Sequence, residues 1–216
     1  DPGDEGQCDP PEGRFTFLDA GEANNCALDE AGAIACWGKN NAGQNDVPEG
    51  TVATDVSTYY GHTCAVHPDG SMSCWGEGLW GQTDVPEDIV FDRVGVSDWT
   101  TYAIDVDGVF QCWGRKDCDD AADRRWKDLS IYTTSVCAVT VDDVPDCFGY
   151  NVGERNNEPE GLEGSVVAAG HNFSCAIDLD GEIICWGCGE CPDDPANQGL
   201  ECGDFGQCDP PAPGEI

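Results

Sequence analysis

The sequence predicts an all-β fold: a five-bladed propeller built from four-stranded repeats of about 38 residues. Three observations predict it. A Trp-Gly dipeptide returns at Trp37-Gly38, Trp75-Gly76, Trp113-Gly114 and Trp186-Gly187, with Phe148-Gly149 replacing it once, in steps of 38, 38, 35 and 38 residues. A cysteine precedes each aromatic residue, and ten residues before that cysteine stand Cys26, Cys64, Tyr102, Cys137 and Cys175. Between them a glycine holds one fixed place, as Gly32, Gly70, Gly108 and Gly181, with Asp143 in the fourth repeat. A period near 40 made of short strands suits a blade, a small sheet that must bury its faces against its neighbours.

Each repeat reads as a hairpin followed by a connecting module. In Cys64-Ala-Val-His-Pro-Asp69-Gly70-Ser-Met-Ser-Cys74-Trp75-Gly76, two apolar runs flank a turn whose glycine supplies a positive φ. The odd count of residues between the cysteines fits a turn of three or five residues and sets the two thiols opposite each other. Disulfides Cys26–Cys36, Cys64–Cys74, Cys137–Cys147 and Cys175–Cys185 are therefore expected as structural staples. The module that follows reads Gly43-Gln44 to Pro48 and Gly81-Gln82 to Pro86, with a weaker copy from Gly153-Glu154 to Pro159. A β-rich stretch such as Phe17 to Gly21 or Val166 to Gly170 then leads into the next hairpin. The hairpin units fall near 14–50, 51–88, 89–125, 126–161 and 162–187 of a single propeller domain spanning 1–216, with a Cys-rich insertion at 188–204 and terminal modules at 6–13 and 206–213.

The best copies, Gly61-His62-Thr63-Cys64 through Gly81-Gln82 and Gly170-His171 to Trp186-Gly187, resemble the repeat of the regulator-of-chromosome-condensation family. The resemblance implies a β-propeller. It implies no single function, since members of this family include nuclear exchange factors, secreted β-lactamase inhibitors and repeats of bacterial surface proteins. The best-known members have seven blades, against five hairpins here.

Composition narrows these roles. With 43 Asp+Glu against 9 Lys+Arg, the net charge of -34 repels the phosphate backbone and anionic lipid, which excludes nucleic acid as a partner. No apolar run is long enough to insert in a membrane as a helix. Fifteen cysteines point to an oxidising compartment. Together with the opening Asp-Pro-Gly, they lead us to expect a secreted or cell-surface protein, processed or part of a longer chain. The resemblance is thus to the disulfide-bearing, bacterial extracellular variety of the family.

The hexapeptide Gly6-Gln7-Cys8-Asp9-Pro10-Pro11 recurs as Gly206-Gln207-Cys208-Asp209-Pro210-Pro211. Five hairpins thus stand with six modules, counting a degenerate copy at 118–125, so one terminal copy is surplus. It can be a tail along an outer edge, a mark of a longer array, or a strand donated to a neighbouring subunit. Outside the hairpin pairs remain Cys8, Cys112, Cys118, Cys188, Cys191, Cys202 and Cys208, candidates for further or intermolecular disulfides. Cys118 is the nearest candidate for Cys112. Cys188, Cys191, Cys202 and Cys208 also have a spacing that zinc accepts, but an extracellular loop without its own core is more often stapled by disulfides.

Sites of chemistry are scarce. His67 precedes a proline in a turn and is expected to be exposed; His62 and His171 sit near strand starts, where packing or backbone hydrogen bonds explain them. No nucleophile-and-base signature, phosphate loop or dinucleotide fingerprint occurs, so no catalytic residue, cofactor or metal is assigned. Asp117, Asp119, Asp120, Asp142 and Asp143 do not match a calcium-loop spacing. Asn172 opens an Asn-Phe-Ser glycosylation sequon. Tyr59, Tyr60, Trp80 and Trp99, with Trp126, are candidates for a binding face, although adjacent Tyr59 and Tyr60 cannot both point inward. The expected function is non-enzymatic: a protein-binding or structural assembly module whose partner includes a second copy of itself, joined into an extracellular filament through terminal strands. The alternative is a secreted inhibitor of an extracellular enzyme.

Overall fold

The protein is represented by a computed structural model that describes residues 5–115, 124–133, 135–149, 156–170 and 173–187. Among the described residues, fifteen strands form five three-stranded antiparallel sheets, each with strand order following the sequence. They fall in two compact units, Asp1–Arg124 and Arg125–Ile216. The first unit holds β1 (Phe15–Ala20), β2 (Asn24–Asp29) and β3 (Ile34–Gly38), then β4 (Asp55–Tyr59), β5 (His62–Val66) and β6 (Met72–Gly76), then β7 (Phe91–Val96), β8 (Thr100–Asp105) and β9 (Phe110–Gly114). The second holds β10 (Trp126–Tyr132), β11 (Ser135–Thr140) and β12 (Pro145–Gly149), then β13 (Gly164–Ala169), β14 (Ser174–Asp178) and β15 (Ile183–Trp186).

The five sheets are the five expected blades, with one difference. A fourth strand was expected in each, yet among the described residues every sheet has three. The connecting module after the first hairpin leaves only a single bridge, Ala33 to Val52, because its Gly, Asn and Pro favour tight turns over an extended ladder.

Within each hairpin the paired cysteines lie opposite each other, Cys26 to Cys36, Cys64 to Cys74, Cys137 to Cys147 and Cys175 to Cys185, and all four disulfides form. Each closes a short loop and stabilises by about 2.7 kcal/mol in the chain-entropy description. In the third hairpin Tyr102 faces Cys112, and its ring packs on Phe110 with centroids 6.1 Å apart. Cys112 is itself disulfide-bonded.

The turn glycines carry φ of 79° at Gly32, 78° at Gly70, 77° at Gly108 and 85° at Gly181, and Asp143 stands in at 63°. Aspartate tolerates this left-handed region better than most residues. A second device holds these turns: the Oδ1 atoms of Asp29, Asp105 and Asp178 each accept two backbone N–H groups of their own turn. Thr140 Oγ1 does so once in the fourth repeat.

The hydrophobic clusters lie between blades as much as within them. Cys26 and Leu28 of the first blade pack with Val56, Ala65 and Trp75 of the second. Tyr59, Cys64 and Val66 pack with Phe91, Val94 and Val96 of the third. In the second unit Cys137 and Val139 pack with Val167, Ala176 and Trp186. A blade of three short strands cannot bury its faces alone, so stacking supplies the core.

Candidate interaction surface

The surface is built by the Trp-Gly and Gly-Gln dipeptides. Gly76, at φ 98°, turns the chain off β6, and a Cβ there would lie 2.4 Å from the Gly61 carbonyl oxygen. Gly38 and Gly114 repeat this, with backbone oxygens at 2.5 and 2.3 Å. Only glycine fits such a turn. The chain then loops to Gly43, at φ 79°, and Gln44, which is wholly buried. The Gln44 carbonyl accepts Trp75 Nε1–H at 2.9 Å and the Thr63 hydroxyl at 2.8 Å. Its side chain accepts the Ala42 N–H through Oε1 and donates through Nε2 to the Tyr60 carbonyl. The module leaving one blade is thereby fastened to the tryptophan of the next.

The loops fastened in this way present an aromatic face across the first unit. Tyr60 is 40 % exposed, Trp80 52 % and Leu79 83 %. A groove of about 500 Å³ lies between Asn41, Ala42, Tyr60, Gly61, Glu77 and Leu79. Lys39 Nζ sits 5.1 Å from the Tyr60 ring centre, and the Arg115 guanidinium lies 5.2 Å from that of Trp80 and 4.7 Å from that of Trp99. Among the described residues neither cation is ion-paired: both rest on π faces, where the ring quadrupole favours them. Tyr60 adopts φ 38°, a strained conformation for a tyrosine.

The four aromatic candidates divide. Tyr60, Trp80 and Trp99 share the face, while Tyr59 is 9 % exposed and belongs to the core. Trp126 is wholly buried, against Phe148 at 5.9 Å. His67, expected to be exposed, is half-buried: Nδ1 lies 2.8 Å from the Val52 carbonyl oxygen and therefore donates to it, which leaves Nε2 to accept from the Ser73 hydroxyl at 3.0 Å. His62 is wholly buried, with Nε2 2.9 Å from Thr101 Oγ1. Since that hydroxyl donates to the Gln82 carbonyl, His62 Nε2 carries the proton, and Nδ1 has no hydrogen-bond partner among the described residues. Burial lowers the His62 pKa to about 4.

Two acidic groups, Asp55 buried and Asp19 half-buried, were missed in the sequence. The Asp55 carboxylate accepts the N–H groups of Val56 and Val94, and Asp19 accepts that of Thr58. Burial raises Asp55 to about 6, opposed by the Val94 hydrogen bond and by Arg93. Ser57 and Ser130 hydroxyls accept Val96 N–H and Ala169 N–H in the same manner. A short polar residue spaced about one repeat from an inner-strand N–H is the only sequence trace of these bonds.

Of the non-hairpin cysteines, Cys8 is free and exposed. Cys118, Cys188, Cys191, Cys202 and Cys208 lie outside the described residues, as do Asn172, His171, Asp117, Asp119, Asp120 and the terminal module 206–213. Among the described residues no group of three or more His, Cys, Asp or Glu side chains is placed to hold a metal. Among the described residues no helix is long and apolar enough to cross a membrane.

Repeated blades fastened by Trp-Gly and Gly-Gln define a propeller-type repeat protein. The family model of the regulator of chromosome condensation (RCC1) repeat matches residues 166–191. No curated protein is matched in sequence. Among solved structures, the chain is similar to the CRINKLY WD40 ectodomain of the Arabidopsis thaliana receptor kinase ACR4 (21% identity, TM-score 0.66, 81% of this chain and 72% of that one). It is also similar to the entire ectodomain of the Physcomitrella patens receptor kinase CR4 (22% identity, TM-score 0.64, 82% and 51%). A third is Prp20p of Saccharomyces cerevisiae (16% identity, TM-score 0.64, 79% and 56%). The chain thus spans about half the length of the P. patens ectodomain and of Prp20p. At these identities the likeness is one of fold.

Proposed function

We propose that this chain is an extracellular or cell-surface, non-catalytic module that binds protein and assembles through its aromatic face. The observation that carries this reading is Tyr60 and Leu79 exposed on one groove, with exposed Trp80 next to Leu79 in the chain, beside the cations Lys39 and Arg115, which rest on the rings of Tyr60 and Trp80. Exposed Trp, Tyr and Arg in one patch are the residue types that dominate protein interfaces. An apolar patch on a surface of such charge is costly unless it is used. Yeast Prp20p, which shares the fold, has binding properties to Gsp1p and histones, and the two receptor ectodomains are extracellular. The four hairpin disulfides support an oxidising location.

The test is negative-stain microscopy together with sedimentation of the full-length protein across a wide concentration range. Assembled particles or filaments that grow with concentration are the expected result. A strictly monomeric species overturns the assembly reading, and stoichiometric co-purification with one secreted enzyme would replace it by the inhibitor role.

A further inference from the structure

The first blade holds a docking slot whose occupant has a second copy in the sequence. The Gln7 carbonyl accepts Trp37 Nε1–H at 3.0 Å and Asn25 Nδ2–H at 2.9 Å. Gly6 adopts φ 82°, its carbonyl accepts the Asp9 N–H at 3.1 Å, and Gln7 Oε1 accepts the Glu5 N–H at 2.7 Å. Blade two is the same to within a few tenths of an ångström: Gly43 at φ 79°, Asp46 N–H on the Gly43 carbonyl at 3.1 Å, and the Gln44 carbonyl on Trp75 and Thr63. Gly81 and Gln82 repeat the turn, with φ 77°, Asp84 N–H on Gly81 at 3.0 Å and Trp80 N–H on Gln82 Oε1 at 2.8 Å. The slot therefore reads a glycine in the left-handed region, a glutamine that caps its own turn, and one main-chain carbonyl. Residues 206–211 carry the same Gly, Gln, Cys, Asp, Pro and Pro as residues 6–11.

The resident copy is also less buried than the two that follow it. Gln44 and Gln82 are wholly buried, whereas Gly6 and Gln7 are half-buried and Cys8 is exposed. A second segment of identical chemistry seated there would meet the same hydrogen-bond partners, and would displace less buried surface than at either other blade.

We propose, resting on the assembly reading above, that the Trp37 slot is an exchange site: residues 206–211 of a second copy replace residues 6–11 and join copies head to tail. Such a contact is heterologous and does not need to close on itself. The resident copy is held by an effective concentration on the order of millimolar, so exchange is favoured by crowding or by weakening residues 6–11.

Glycine substitutions in the full chain, with Cys8→Ser and Cys208→Ser throughout to remove thiol exchange, test this. A Cβ at Gly6 meets nothing within 4 Å, so Gly6→Val acts through φ alone. Sedimentation velocity is expected to show Gly6→Val associating at least about tenfold more tightly than its parent, with Gly206→Val added to it returning association to the parent's level. The doubly substituted chain, whose slot is open, is expected to bind the free peptide Gly-Gln-Ser-Asp-Pro-Pro at least about tenfold more tightly than the parent does. The proposal is overturned by association that is indifferent to Gly6→Val, by a gain in association that survives Gly206→Val, or by no peptide binding. A wild type that is monomeric while Gly6→Val associates would leave the slot standing and remove the assembly reading.

Discussion

The carboxylate of Asp55 on β4 accepts the backbone N–H of Val94 on β7 at 2.9 Å, so an acid of one blade completes the hydrogen bonding of the next. Its burial, the largest influence on it, raises the pKa from 3.8 to about 6. The folded chain therefore binds an extra proton between those values, a stabilisation fully present below pH 3.8 and lost as pH rises through 6. His62 acts in the opposite sense: lowered by burial from 6.5 to about 4, it withdraws stability as pH falls through that window. Each effect is on the order of 3 kcal/mol at full extent, and in the wild type they oppose each other. Denaturant unfolding at a series of pH values should show Asp55→Asn gaining on wild type from pH 4 to 7, and His62→Asn gaining from pH 7 to 4. A difference independent of pH for both variants would sink this account.

Two tryptophans in matching places should respond differently to loss of the indole N–H. Trp75 donates to Gln44, while Trp113 Nε1 is buried without a hydrogen-bond partner among the described residues. Trp75→Phe is expected to cost about 1 kcal/mol more than Trp113→Phe, measured by guanidinium unfolding. Equal costs would mean that the Gln44 bond contributes nothing net.

Glycine after the aromatic residue should be intolerant for two reasons, φ and space, whereas a loop glycine is intolerant for one. Gly76→Ala is expected to cost about 2–4 kcal/mol, because its Cβ meets the Gly61 carbonyl at 2.4 Å. Gly50→Ala, at φ 80° with nothing within 4 Å, should cost about 1–2 kcal/mol. Thermal unfolding of the two variants side by side decides the ranking.

Tyr60 should show stability and binding in opposition. At φ 38° an asparagine is less strained than a tyrosine, so Tyr60→Asn is expected to raise stability by about 0.5–1 kcal/mol. It also removes the ring under Lys39, so association should weaken in the same variant. Loss of stability on this change would show that the ring's contacts outweigh its backbone strain.

The hairpins were legible because their signals are local. Cysteines ten apart and a glycine at a fixed place determine the register that sets Cys64 opposite Cys74. The blade-to-blade fastenings were not legible, because they are read by main-chain atoms that carry no residue signature. Gln44 recognises Trp75 through its backbone carbonyl, and Asp55 looks in sequence like one more surface acid among 43 Asp and Glu. The aromatic face was legible in part: adjacent Tyr59 and Tyr60 had to part, but only the turn after β4 decides that Tyr60 points outward. The fourth strand was over-read, since a Pro- and Gly-rich module of constant spacing resembles an outer strand as much as a turn.

The claim that the exposed aromatic face is the surface of assembly is tested most directly by sedimentation velocity of wild type beside Leu79→Ser/Trp80→Ala. Both side chains are more than half exposed, so folding should be preserved and near-ultraviolet dichroism unchanged apart from the lost indole. The predicted result is association in the wild type that weakens at least about tenfold in the double variant. Equal association of the two proteins across the same concentration range would contradict it.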